Sequence, residues 1–172
     1  YGTPRAALSE VAAAIRSNGA VNPEAVYYGR ECSPAEVEAS RMVADPFRLL
    51  DCCITSEGGA CMILTSTERA KDLDVTPIHV LGGALDRQGN SYVTAPVWEK
   101  YGWVGRRAAE LTFEQCGLGT KDVDFAELYD PFSFEIIRQL EAFGFCKEGE
   151  GADFVLEGRI RIDSDLPVAT NG

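Results

Sequence analysis

The chain predicts an α/β fold, and three observations in the sequence carry that expectation. Val123-Asp-Phe-Ala-Glu-Leu-Tyr-Asp-Pro-Phe-Ser-Phe-Glu135 reads as a short buried strand that runs straight into a helix. Two further apolar runs, Cys61–Thr65 after Gly58-Gly59 and Ile78–Leu81 before Gly82-Gly83, have strand length and glycine boundaries. Between these lie stretches whose apolar residues recur at helical spacing. With 172 residues, 45% of them hydrophobic and a quarter charged, the chain is long enough to bury a sizeable core.

Thr3-Pro4 opens a first helix to about Ile15, with Leu8, Val11, Ala12 and Ile15 on one face and Asn18-Gly19 as its stop. Ser33-Pro34-Ala-Glu36 has the spacing of a capping box and starts a second, short helix. Asn22-Pro23 and Ala44-Asp45-Pro46 break the chain around these, so residues 1–50 read as a loosely packed helix-and-loop segment with a thin core. After the strand at Cys61, Ser66 precedes a short helix from Thr67 to Leu73, and Ile78–Leu81 is the next strand. Residues 86–97 read as a long loop, and Trp103 to Cys116 as a helix ended by Gly117. Lys147 to Ala152 is a turn region, followed by two short strands, Phe154–Leu156 and Arg159–Ile162. Leu166-Pro-Val-Ala-Thr-Asn-Gly172 carries no element that would close the last strand, which reads as a cut inside a domain.

The first candidate site lies where the strand Phe125–Leu128 ends, at Tyr129. Asp130 and Pro131 are the residue types preferred at a helix N-cap and first position. Phe132, Ile136, Leu140 and Phe143 then follow at helical spacing, and Gly144 can take the left-handed stop conformation. Ligands of open α/β sheets bind beyond the carboxyl ends of strands, next to the positive ends of helices. Tyr129 is therefore a candidate acid, base or oxyanion donor; the alternative is a half-buried tyrosine with its hydroxyl tied to a carbonyl. As a base, a phenol with an ordinary pKa near ~10 needs donors or positive charge at its oxygen.

The formal net charge of −11 argues against sequence-independent binding to nucleic acid or anionic membrane. Arg106-Arg107 is either a contact for an anionic ligand or a solvated helix face. No apolar run approaches the roughly 20 residues of a membrane helix and no signal-peptide pattern opens the chain, so a cytoplasmic protein is expected. Six cysteines, two of them adjacent, match neither a zinc ribbon nor a CxxC site and read as free thiols. The lone His79, in a strand-like run, gives no basis for a serine triad or a multi-histidine metal site, and no metal is expected.

Four stretches taken in order resemble the thiolase superfamily, in its lipid-transfer, sterol-carrier-type branch. They are Ser40-Arg-Met-Val-Ala-Asp-Pro-Phe-Arg-Leu-Leu-Asp-Cys-Cys53, Ser56-Glu-Gly-Gly-Ala60, Asp122-Val-Asp-Phe-Ala-Glu-Leu-Tyr-Asp-Pro-Phe132 and Leu166-Pro-Val-Ala-Thr-Asn-Gly172. The resemblance implies the thiolase-like layered αβαβα fold, present only in part. Residues 1–50 would be the end of a helix-rich loop region and 51–172 the α/β core, mainly its C-terminal half. The segment with the family's nucleophilic cysteine would lie outside this chain. Where thiolases carry Asn-Glu-Ala-Phe, and the sterol-carrier branch His-Asp-Cys-Phe, this chain has Tyr129-Asp130-Pro131-Phe132. That variant is similar to the steroid side-chain-cleaving aldolases.

The resemblance implies a carbon–carbon lyase in which Tyr129 removes the proton of a β-hydroxyl group and a bulky, steroid-like β-hydroxyacyl-CoA breaks into a ketone and a shortened acyl-CoA. Coenzyme A would enter as part of the substrate, with no separate cofactor. Cys53 aligns where many thiolases have a serine beside the pantetheine arm, which nominates it for substrate binding; its alternative is an ordinary small apolar residue. Asn171 and Gly172 match the family's Asn-Gly-Gly turn near the catalytic centre, or are a plain turn. A homodimer and a small OB-fold partner protein are likewise implied by the resemblance. An acyltransferase or degradative thiolase of the sterol-carrier type, and a non-catalytic acyl-CoA-binding subunit, are the competing readings.

Overall fold

Alanine-rich sequence and one apolar stripe make the first helix the spine of the molecule. In the computed structural model, which describes residues 1–86 and 104–172, α1 spans Arg5–Ala20 behind an extended Pro4. It buries Ala7, Leu8, Val11, Ala14 and Ile15 in the main core. The capping box forms as expected: Ser33 and Glu36 exchange hydrogen bonds at the start of α2 (Pro34–Ala39). A small antiparallel hairpin follows, β1 (Met42–Ala44) with β2 (Phe47–Arg48), then a 3-10 turn at Leu49–Asp51. The short helix α3 (Thr67–Ala70) has Ser66 as its cap. Beyond it come α4 (Arg106–Cys116), stopped by a left-handed Gly117, α5 (Ser133–Ala142) and α6 (Gly151–Leu156).

The expectation of a thin core over residues 1–50 is overturned, because α1 packs on α2, α5 and α6 together. From the other side, α5 contributes Ile136, Ile137 and Leu140, α6 contributes Phe154 and Val155, and the following loop adds Ile160 and Val168. Ile136 and Leu140 are 0% exposed, and burying side chains of this size contributes about 1.5–3 kcal/mol each. The helix ends at Ala20, one residue past the expected Asn18-Gly19 stop, and the buried Asn18 amide donates to the Ile160 and Val168 carbonyls, both at 2.8 Å. Gly19 packs so closely on Gly172 that a Cβ there would lie 2.4 Å from its Cα. Both residues face long-range partners that a local signal does not reveal.

The expected strands at Phe154–Leu156 and Arg159–Ile162 are absent. Gly151, Ala152, Phe154 and Val155 are the buried positions, a helical pattern that the short apolar run conceals. Cys61–Thr65 and Ile78–Leu81 are exposed and unassigned to strand; Ile63 is 91% and Ile78 95% exposed. A strand exists only where a neighbour takes up its N–H and C=O groups, and no described residue does so for these segments. His79 shares that exposed stretch. Phe125–Leu128 is reduced to one parallel bridge, Ala126 with Val168, bonded through Ala126 N–H to Pro167 and Ala169 N–H to Ala126. The loop expected at 86–97 lies, apart from Asp86, outside the described residues, as does Trp103. No helix among the described residues is long and apolar enough to cross a membrane.

Candidate active site

The bridge at Ala126 brings the chain up to Tyr129, and a second bridge, Cys52 with Phe132, takes it over just before α5. Between these two pairings the Tyr129 backbone has no sheet neighbour among the described residues, and a side chain serves instead. The Tyr129 N–H donates to Gln139 Oε1 at 3.3 Å, while Gln139 Nε2 donates to the Tyr129 carbonyl at 2.5 Å and to the Glu135 carbonyl at 3.0 Å. Gln139 is buried on the inner face of α5. Tyr129 itself is 74% exposed, so its backbone is held and its phenol stands in the open.

Asp130 does not cap the helix, contrary to expectation. Phe132 occupies the N-cap with no side-chain cap bond, and Ser133 is the first helical residue. Asp130 instead lines a cavity of about 290 Å³ together with Arg16, Cys53, Ser133 and Gly172. Burial pushes its carboxyl above the ordinary value of 3.8 and Glu127 adds to that, against the opposing pull of its own backbone amide and of Arg16.

One buried carboxylate fastens this region to the core. Asp51, whose side chain is 0% exposed, accepts from Arg5 Nη1 at 3.0 Å and Nη2 at 2.6 Å, from the Arg48 N–H at 2.7 Å and from Ser133 Oγ at 2.8 Å. It thereby ties α1, the hairpin and the start of α5 at a single point. Next to it, Arg16 Nε and Nη2 donate to the Leu50 and Cys52 carbonyls, each at 3.2 Å, and the guanidinium stacks over Tyr27 at 5.5 Å. The Cys53 N–H then donates to the Pro131 carbonyl at 3.1 Å. The Cys52-Cys53 segment is thus locked against the residues that follow Tyr129.

Of the residues singled out in the sequence, Cys53 and Gly172 meet at the cavity. Tyr129 and Asn171 do not line it. Asn171 lies on the adjoining surface, its carbonyl accepting from Asn22 Nδ2 at 2.8 Å. Thr170 donates through N–H and Oγ1 to Glu127 at 3.0 and 2.7 Å, which docks the last turn beside the Tyr129 strand. Gly172 has φ +85°, and a Cβ there would lie 2.6 Å from Ala25 Cβ, so the turn requires glycine. All six cysteines are free. Burial, helped by the Asp51 charge, pushes the Cys52 thiol up, away from the thiolate a nucleophile needs.

Residues 102–172 match the family model "Thiolase C-terminal domain-like". The steroid side-chain-cleaving aldolase of Thermomonospora curvata is 35% identical across the whole chain, which covers 45% of that protein. The 17-hydroxy-3-oxo-4-pregnene-20-carboxyl-CoA lyase of Mycobacterium tuberculosis is 35% identical over 94% of the chain and 43% of its own length. The solved Ltp2-ChsH2(DUF35) aldolase superposes with a TM-score of 0.87 at 34% identity, over 99% of this chain and 46% of the other.

The chain belongs to the thiolase superfamily. Its fold is the thiolase-like one, carried in part, since the chain spans a little under half the length of the relatives it matches. Four residues of this site escaped the sequence reading. Gln139 carried a usable signal, a polar residue three positions after Ile136 and four before Phe143 on the apolar stripe. Asp130 was hidden by its aptness as a cap. Asp51 and Arg16 had no local signal for the site, because Arg5 and Ser133 on the one hand and Leu50 and Cys52 on the other are distant from them in sequence.

Proposed function

We propose that this protein is a carbon–carbon lyase that cleaves a bulky, steroid-like β-hydroxyacyl-CoA by retro-aldol chemistry, with Tyr129 as the base. The observation that carries this reading is an open phenol on a clamped strand end, at the position where the resemblance puts asparagine or histidine. The names of two relatives, an aldolase and an acyl-CoA lyase, agree in chemistry with it.

In this reaction the phenolate oxygen of Tyr129 takes the proton of the substrate's β-hydroxyl. The C–O bond becomes a ketone carbonyl, the Cα–Cβ bond breaks, and its electron pair passes into the thioester as an enolate. Protonation at Cα then gives the shortened acyl-CoA, with no covalent cysteine intermediate. Cys53, Asn171 and Gly172 contact the substrate, Cys53 and Gly172 from the cavity and Asn171 from its rim. Coenzyme A is part of the substrate and no other cofactor is needed. The active form is a cytoplasmic homodimer beside a small OB-fold partner, in keeping with the DUF35 component named in the solved aldolase.

Tyr129→Phe in the full-length protein tests the assignment. Removing a general base lowers the rate by about 10²–10⁴-fold. A folded Tyr129→Phe protein that cleaves substrate at near-normal rate overturns it.

A further inference from the structure

We infer that Gln139 is a positioning residue for the reaction, acting as a surrogate strand partner that sets the backbone of Tyr129. The inference rests on the reading of Tyr129 as base and adds a residue that touches no substrate. The strand carrying Tyr129 is paired at Ala126, and the chain is paired again at Phe132. Neither pairing reaches Tyr129, and among the described residues no backbone group takes up its N–H or C=O. Both groups end on one primary amide, the N–H at 3.3 Å and the carbonyl at 2.5 Å.

The orientation of that amide follows from its partners. Nε2 has two carbonyls to serve, those of Tyr129 and Glu135, and Oε1 has one N–H; the flipped amide would set donor against donor and acceptor against acceptor. Gln139 is 6% exposed and its helix is packed in the core through Ile136 and Leu140. The clamp is therefore anchored in the packed core, and the exposed phenol stands just ahead of it. A base displaced by about 1 Å can lose some 10²-fold in rate, so holding the backbone has direct kinetic value.

The test uses the full-length protein and two variants. Gln139→Met keeps the length of the side chain and removes every hydrogen bond. Gln139→Glu keeps the shape and the acceptor but presents oxygen to the Tyr129 and Glu135 carbonyls. The kinetics of β-hydroxyacyl-CoA cleavage are compared with amide hydrogen exchange over residues 126–132 and over α5. The expected result is a kcat about 10- to 100-fold lower with KM within about twofold. Exchange should rise at 126–132 while α5 stays protected. Unchanged kcat in either folded variant overturns the inference. So does a rate loss accompanied in both variants by loss of protection throughout α5, which would make Gln139 a purely structural residue. Tyr129→Phe in the same assay separates the two claims: if it is inactive while Gln139→Met is normal, only the positioning role fails, and if it is active the base assignment fails first.

Discussion

Replacing Asp51 by alanine should loosen the site and the core at once, and the structure sets the size of the effect. The carboxylate accepts four hydrogen bonds, two from Arg5 and one each from the Arg48 N–H and Ser133 Oγ. Its side chain has no solvent exposure, whereas Arg5 keeps 26%. Removing one member of a buried pair costs about 3–5 kcal/mol. Arg5 can recover part of its hydration and still has Glu38 at 3.4 Å, which places the loss near the lower end. A loss of about 3 kcal/mol is roughly a hundredfold change in the unfolding constant. Ser133→Ala removes a single hydroxyl donor and should cost about 1 kcal/mol. Urea unfolding of the full-length protein measures both, as a fall in midpoint at unchanged slope. An Asp51→Ala protein within about 0.5 kcal/mol of the parent, the range of an ordinary surface change, would refute the claim that this carboxylate fastens the site.

Three further outcomes are expected. Gly19→Ala sets a methyl group against the Gly172 backbone, so it should displace the last turn and raise KM for the acyl-CoA more than it lowers kcat, as steady-state kinetics will read. Burial raises the folded-state pKa of Asp130; the folded protein then holds a proton that the unfolded chain has released, and stability falls as pH rises from the ordinary carboxyl value through the raised one. Asp130→Asn should accordingly be more stable than the parent at neutral pH, and the difference should shrink as acid protonates Asp130, which denaturant midpoints across that window will show. Cys53→Ser should keep its cleavage rate, because the proposed chemistry forms no bond to sulfur; complete loss of turnover would point to a thiol intermediate.

Much of the helical frame was legible because its signals are local. The Ser33–Glu36 capping box and the left-handed stops at Gly117 and Gly144 each depend on a few neighbouring residues. Tyr129 stands out in the sequence for the same reason, as the end of an apolar run shortly before a proline. What was not legible depended on distant partners. The Asn18-Gly19 stop gives no sign that the Asn18 amide satisfies two carbonyls more than 140 residues away. Phe154-Val155-Leu156 has strand composition, but the face it buries is helical. The segments around Ile63 and Ile78 have strand sequences without a ladder among the described residues. The cavity was invisible for a related reason: Arg16, Asp51, Asp130 and Gly172 meet there only after α1, the 3-10 turn, the strand end and the last turn have packed.

The most direct test of the central claim is product analysis of the full-length protein, with and without an OB-fold partner, on a β-hydroxyacyl-CoA bearing a steroid nucleus. Mass spectrometry should find a ketone and the shortened acyl-CoA in equal amounts, with no free coenzyme A consumed and no product from Tyr129→Phe. Coenzyme A-dependent thiolysis of a 3-ketoacyl-CoA, with the β-hydroxyacyl substrate untouched, would contradict the account and make the protein a thiolase in activity as well as in fold.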